Sequence, residues 1–451
     1  MVKKMKVFDV VDVTCTDLNH EGLGVCKLDG FPIFVPFILV GEEGKIEIIK
    51  LNKNYGQGRL IKLTKQSKNR VKPICPIFGV CGGCDLMHLN YEEQLKFKLK
   101  SANETLKRIG KVNFEVKKIV GMENPYYYRN KVQIQYQNKN GKVICGFYKK
   151  NTHEVVEFAE CFIQPNQATD IARFIRNLAN EYKITAYDEK TKKGILRHVL
   201  IRNTVNNEYM VVIVTNEDKL PHEQEIIEKI KNRYPNVKSI IQNINNKDTN
   251  VILGDKAKLL YGSETLLENL MGLNFYLSYK SFFQTNHIQT EKMYAKVLEY
   301  VSPKTNEVIV DGYCGVGTIT LMLSQYVKEI YGIEIVAEAI NDAKKNALLN
   351  GIKNATFIVG KTEEEILKFK DVQIDTIVVD PPRKGCDKKL LEVILEMPIK
   401  KIVYVSCDIA TLARDLNILE EKYAIQDITL FDMFPQSAHI ESVVLLSRVK
   451  K

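Results

Sequence analysis

The sequence has no long apolar run: nowhere in its 451 residues does one reach the roughly 18 that a membrane-spanning helix needs. Its opening, Met1-Val2-Lys3-Lys4-Met5-Lys6-Val7-Phe8-Asp9, also lacks the apolar stretch and small-residue cleavage site of a secretory signal. A cytoplasmic protein without a membrane partner is expected. Cysteine is sparse too. Ten in 451 residues is far below the density of a disulfide-stapled scaffold, and in a reducing compartment a local cluster of thiols points instead to a metal or to catalysis. At 45% hydrophobic and 27% charged residues the composition excludes a disordered or collagen-like chain, and the length suggests about three domains.

Basic residues are abundant but unevenly placed. Residues 1–270 carry 43 Lys and Arg against 31 Asp and Glu, whereas residues 271–451 carry 22 against 24. A basic front on a near-neutral back suits an arm for a polyanion joined to a unit with another task.

Residues 5–64 read as short strands, among them Phe34-Val35, Lys45 to Lys50 and Gly58 to Ile61, separated by turns such as Leu28-Asp29-Gly30. A small β-barrel over residues 1–65 is predicted, followed by a basic connection from Lys62 to Lys72. Tyr91 to Ile109, with Leu95, Leu99, Ala102 and Leu106 at helical steps and Gly110 behind, predicts an amphipathic helix. Residues 66–265 mix strands (Val132 to Tyr136, Tyr209 to Val214) with helices (Ala168 to Tyr182, His222 to Arg233) and read as a central α+β domain. Over residues 266–451, strand-like runs at Val308-Ile309-Val310, Ile330 to Ile333, Thr376 to Val379 and Lys401 to Val405 alternate with helical patterns. That alternation predicts a doubly wound α/β sheet, whose ligands bind at the carboxyl ends of the strands.

The residues at those ends carry the chemistry. After the first run stands Asp311-Gly312-Tyr313-Cys314-Gly315-Val316-Gly317-Thr318, a Gly-rich turn into a helix, and Glu334 comes nineteen positions after Gly315 at the next strand end. Glycines admit a ligand to the backbone, and an acid so placed can hold two ribose hydroxyls, so turn and acid together favour a nucleoside-containing cofactor over plain turn chemistry. The third strand ends in Asp380-Pro381-Pro382-Arg383, where two prolines would fix the carboxylate over the cleft. The fourth ends in Ser406-Cys407-Asp408. A cysteine after an apolar strand is ordinarily core, but this one shares the rim with Glu334 and Asp380 and is a candidate nucleophile. His439 and Glu441 both head the apolar strand Ser442 to Leu446, and the local pattern does not choose between them as a base.

Cys75, Cys81 and Cys84, with Gly82-Gly83 between the last two, are three thiols within ten positions. With a fourth from a distance they suit an iron–sulfur cluster, and the same four thiolates also suit zinc. Cys161 is the candidate fourth and Cys145 its competitor.

Taken in order and spacing, these motifs, together with Phe282-Phe283-Gln284-Thr285-Asn286 and Lys384-Gly385 after Arg383, resemble the bacterial RNA (uracil-5-)-methyltransferases that act on 23S ribosomal RNA and carry a TRAM domain and an iron–sulfur cluster. The resemblance covers nearly the whole chain. It implies a TRAM barrel that binds RNA, a class I methyltransferase domain using S-adenosylmethionine, and a [4Fe–4S] cluster held by Cys75, Cys81, Cys84 and Cys161. It further implies contacts to cofactor or target base by Gln284, Tyr313, Glu334 and Asp380, with Cys407 as nucleophile at C6 of uracil and Glu441 as acceptor of the C5 proton. A monomer without an obligate protein partner is expected. Ile409, Ser437 and Gly312 depart from the family pattern of proline, threonine and a larger apolar residue. The Tyr126-Tyr127-Tyr128-Arg129-Asn130-Lys131 run reads equally as a stacking surface for RNA or as core. Two other readings remain: an amino-group methyltransferase, which would have an aromatic at Arg383 and no task for Cys407, and a non-catalytic RNA-binding or assembly protein. An oxidoreductase would not need the Cys407 and Glu441 pair.

Overall fold

Alternating apolar and polar side chains roll residues 10–65 into a closed barrel of five strands: Val10–Leu18, Gly24–Leu28, Phe31–Val35, Glu43–Leu51 and Gly56–Lys65. Val13, Cys15, Ile33, Val35, Ile46 and Ile48 fill its interior. The computed structural model describes residues 5–449, and none of the helices among them is long and apolar enough to cross a membrane. The barrel docks on the cysteine-bearing segment. There Arg70 Nε donates to the fully buried Glu42 at 2.6 Å and its terminal nitrogen donates to the Phe37 carbonyl at 2.7 Å, with Phe37 edge-on to Phe78.

The helix predicted from Tyr91 to Ile109 is α-helical only over Tyr91–Thr105, where the Asn90 side chain caps its start, and then widens into a π turn, Leu106–Gly110. The wider turn presses Leu106 and Gly110 onto the helix Ile409–Leu419, where the Ala413 carbonyl leaves no room for a side chain at Gly110. The next strand, Lys118–Val120, pairs parallel with Tyr423–Phe431. Residues 91–120, expected within the central unit, therefore pack on the C-terminal sheet.

The central unit is a seven-stranded sheet ordered Lys256–Gly262, Val237–Ile244, Tyr209–Thr215, Leu196–Asn203, Lys131–Lys139, Lys142–Tyr148, Val155–Glu157. Helices Asn166–Glu181 and Glu223–Arg233 cover one face through Ile171, Ile175, Ile226 and Ile230. A hairpin, Thr265–Leu270 with Leu273–Ser278, bridges onward: Leu266 packs on the central sheet and Phe275 and Leu277 on the C-terminal core.

The C-terminal sheet runs Ala355–Val359, Glu329–Glu334, Val308–Gly312, Thr376–Val379, Lys401–Ser406, Glu441–Arg448, Tyr423–Phe431, Lys118–Val120. Its first five strands are parallel, and Glu441–Arg448 runs antiparallel to both neighbours. Chain order reverses between Val308–Gly312 and Thr376–Val379, which opens a crevice at their carboxyl ends. The doubly wound α/β architecture, the N-terminal barrel and the α+β middle are thus present.

Candidate active site and cysteine cavity

One cleft of about 770 Å³ lies over those strand ends and is lined by Gln284, Tyr313, Glu334, Asp380, Cys407 and Glu441 together. The left half is built by the Gly-rich turn. Tyr313, Gly315 and Gly317 all have positive φ (66°, 55° and 83°), and a Cβ on Gly315 would meet nothing within 4 Å, so the backbone there stands open to a ligand. Glu334 is held by the amides of Gly315 (3.3 Å) and Val336 (2.9 Å), its two oxygens each accepting one bond. Buried Asp311 accepts from Thr320 Oγ1 at 2.6 Å with one oxygen, while the other has no partner. An orphaned carboxylate oxygen and an open glycine turn fit a polar ligand carrying hydroxyl or amino donors, as S-adenosylmethionine does. Gln284 is buried at the other wall, its backbone carbonyl taking a bond from Asn130. At Gly312, the departure from a larger residue is filled by its neighbour: a Cβ would come 2.8 Å from the Thr362 methyl.

Sheet register builds the right half. The last pair between Lys401–Ser406 and Glu441–Arg448 is Ser406 with Ser442, so the next positions, Cys407 and Glu441, stand across from each other at the rim. Asp408 caps the helix Ile409–Leu419 by accepting from Thr411 N at 2.9 Å, with Ile409 as its first residue. Burial, and then the charges of Glu441 and Asp380, push the Cys407 thiol up to about 12, with Arg383 pulling the other way. Burial and Asp380 likewise push Glu441 well above the usual carboxylate range against Arg383. Burial alone takes Asp380 up to about 7, and burial with the Asp380 and Glu334 charges takes Asp311 to about 7. Glu441 is buried, whereas His439, also at the cleft, is exposed and touches Phe434 edge-on. Ser437 Oγ donates to the Phe434 carbonyl at 2.8 Å, a bond a threonine hydroxyl would also make. The segment Gly360 to Glu363, which leads from a strand not expected from the sequence into the short helix Thr362–Glu365, lines the same cleft. Its signal was the run Ala355-Thr356-Phe357-Ile358-Val359.

A second cavity, of about 360 Å³, gathers Cys75, Cys81, Cys84 and Cys161. Cys145 is instead buried in the central core beside the Ala172 carbonyl. Burial raises all four thiols, Cys161 to about 12 and Cys84 far above the thiol range, and each other's charges add to the rise at Cys81, Cys84 and Cys161. Amides already point at three of them: Ile77 N and Phe78 N toward Cys75, Gly83 N to Cys81 Sγ at 3.4 Å, and Ile163 N toward Cys161. Four thiols in an apolar pocket, costly as bare thiolates, fit a cationic iron–sulfur group that would neutralise them. Among the described residues no three His, Cys, Asp or Glu side chains converge on the spacing of a single metal ion. Within the tyrosine run, Tyr128 is core and donates to the Pro435 carbonyl, Tyr126 packs beside the cysteines, and Tyr127 is exposed.

The family model described as tRNA (Uracil-5-)-methyltransferase matches residues 90–449, and that of the TRAM domain matches residues 4–61. The chain is 46% identical over 448 residues to an uncharacterized RNA methyltransferase of Bacillus cereus, covering 98% of this chain and 97% of that one. A second uncharacterized RNA methyltransferase, from Clostridium acetobutylicum, is 46% identical over 447 residues, with 98% and 97% covered. Among solved structures, the chain is similar to the Pyrococcus abyssi tRNA (uracil-54, C5)-methyltransferase in complex with S-adenosyl-L-homocysteine. The TM-score is 0.79 at 29% identity, over 96% of this chain and 99% of that chain.

Proposed function

The chain belongs to the tRNA (uracil-5-)-methyltransferase family, and from that premise we propose that it methylates C5 of a uridine in 23S ribosomal RNA through a covalent bond from Cys407 to C6. The observation that carries this reading is the meeting of Cys407, Glu441 and Asp380 with Gln284, Tyr313 and Glu334 around one cleft. S-adenosylmethionine supplies an electrophilic methyl group on its sulfonium. Glu334 would hold its ribose, and Gln284, Tyr313 and Asp380 would line its place or that of the base.

Uracil C5 is a weak nucleophile, so Cys407 first makes it a strong one. The thiolate adds to C6, the C5=C6 electron pair moves toward O4, and the resulting enolate carbon takes the methyl group. Asp380, fixed by Pro381 and Pro382, can accept the ring N3–H. C5 then still bears its proton. Glu441 removes it, the C5–H pair re-forms the C5=C6 bond, and Cys407 leaves. The basic front supplies phosphate contacts that position the RNA, and the target uridine is unstacked into the cleft.

The likeness to the Pyrococcus abyssi enzyme favours a second reading with the same chemistry on transfer RNA. Both are tested together. The protein is incubated with labelled S-adenosylmethionine and 5-fluorouridine-substituted 23S rRNA or tRNA, and adducts are sought on denaturing gels. Fluorine cannot leave as a proton, so a stable adduct is expected with wild type and none with Cys407→Ala, which retains RNA binding. Label entering ordinary RNA without any adduct would overturn the covalent route. The RNA that gives the adduct decides the target.

The four cysteines are proposed to hold a [4Fe–4S] cluster. Anaerobically purified protein should contain iron and acid-labile sulfide, both lost in Cys84→Ser; zinc without sulfide would overturn this.

A further inference from the structure

The connection from Asp432 to Ile440, which delivers Glu441, His439 and Phe434 to the cleft, is gripped from behind by residues to which the methyl-transfer chemistry gives no task. Lys98, on the helix Tyr91–Thr105, is completely buried, and its ammonium donates to the Asp432 carboxylate and to the Phe434 carbonyl. Tyr91 OH donates to the other oxygen of Asp432 at 2.7 Å. Gln94 and Gln436 clasp each other: Gln94 Nε2 donates to Gln436 Oε1 and Gln436 N donates to Gln94 Oε1, both at 3.1 Å. The amides of Asp85 and Leu86, directly after Cys84, both donate to the Gln436 carbonyl at 2.9 Å.

Gln436 has φ of 71°, in the left-handed region that a residue with a side chain enters only when its surroundings impose it. Here they do, through bonds to both its backbone polar groups and to its side chain. A buried ion pair is an expensive way to pack a helix, since an apolar pair of similar volume avoids the desolvation cost. What Lys98 and Asp432 supply, and an apolar pair would not, is direction. They fix the first residues of the connection, and Gln436 fixes its middle.

We propose that Lys98, with Asp432 and the Gln94–Gln436 clasp, is a positioning group that sets the place of the Glu441 carboxylate for proton removal from C5. The cysteine segment acts through the same point, because Asp85 and Leu86 carry the loop after Cys84 onto Gln436. This rests on the reading of Glu441 as the base. It makes the second half of the reaction depend on the grip, while addition of Cys407 to C6, at the end of a different strand, does not.

Elimination requires three linked events: Glu441 takes the C5 proton, the C5–H electron pair forms C5=C6, and the C6–S bond breaks to release the Cys407 thiolate. If Glu441 is displaced, methylated RNA stays bonded to the protein. The test uses full-length protein, labelled S-adenosylmethionine and an ordinary, unfluorinated RNA transcript, that of 23S rRNA or of tRNA on which wild type acts. Reactions are quenched in detergent and run on denaturing gels. In Lys98→Met/Asp432→Asn, where no uncompensated charge remains buried, turnover is expected to fall roughly 10–100-fold with kcat/KM for RNA unchanged, so that KM falls in step, and labelled covalent adduct accumulates. Tyr128→Phe, which deletes only the bond to the Pro435 carbonyl, should give the same signature at roughly fivefold. Both variants should form the 5-fluorouridine adduct at the wild-type rate.

Wild-type turnover in the double variant, or adduct formation falling in step with turnover, would overturn the proposal. A wild-type protein that forms no 5-fluorouridine adduct would instead overturn the covalent reading on which it rests.

Discussion

Three carboxyl groups, Asp311, Asp380 and Glu441, share a cleft in which burial raises every one of them. The pH dependence of Asp380 is a matter of linkage. Its carboxyl goes from an ordinary 3.8 to about 7 in the fold, so the native state binds more protons than the unfolded chain between those values. Its contribution to stability is therefore best below about pH 4, declines as pH rises through 7, and is constant above. Asp380→Asn is expected to unfold at higher denaturant than wild type at pH 8, by about 1 kcal/mol for this largely buried group at the rim of an open cleft, and at the same denaturant at pH 4. Greater stability of wild type at pH 8 would contradict a desolvated carboxyl. Cys407, held to about 12, sets the opposite sense for chemistry: below that value each pH unit yields about ten times more thiolate, so adduct formation in rapid-quench experiments should climb from pH 6 to 9. The same crowding of acids suits a cationic sulfonium at the rim.

At the scale of elements, the site is a set of strand ends, each made useful by the turn or loop attached to it. Gly317 caps the helix Thr318–Ser324 at φ 83°, and a Cβ there would stand 3.0 Å from the Phe357 ring. Gly317→Ala should cost about 1–3 kcal/mol of stability and weaken S-adenosylmethionine binding, read by thermal unfolding and calorimetry, with RNA affinity unchanged. An alanine variant with wild-type affinity for the cofactor would remove the turn from the binding site. Turn, acid and proline pair were visible in the sequence because each is a local pattern on consecutive residues. The π turn at Leu106–Gly110 was not, since the helical periodicity continues through it and only contact with Ala413 selects the wider geometry. The edge strand Lys118–Val120 was equally hidden: three residues carry no period, and its partner lies some three hundred positions away.

Across the whole molecule, the cysteine-bearing segment is the joint. It takes the barrel on one side through Arg70 and Glu42, and on the other holds Gln436 through Asp85 and Leu86. Burial would raise the Glu42 carboxyl, but the Arg70 guanidinium and the amides of Leu39 and Ser67 prevail and hold it below the ordinary value. That stability is present above the unfolded carboxylate value and fades as pH falls through the lower folded one. Arg70→Met strands the buried carboxylate and should cost about 3–5 kcal/mol in denaturant unfolding at pH 7, less at pH 3; an unchanged midpoint would mean that the barrel docks by other contacts. The barrel, the doubly wound sheet and the identities of the residues at its rim are legible along the chain, because strand period, glycine turns and terminal acids are written within a few positions of one another. So is the charge asymmetry that marks a polyanion-binding front. Which residues meet is a property of the folded molecule. The antiparallel register of Ser406 with Ser442 sets Cys407 opposite Glu441, distant turns bring Cys161 rather than Cys145 to the other three cysteines, and a helix from residue 91 onward reaches across to Asp432 and Gln436. Such meetings depend on strand pairing and packing between segments hundreds of positions apart, for which no local pattern is required.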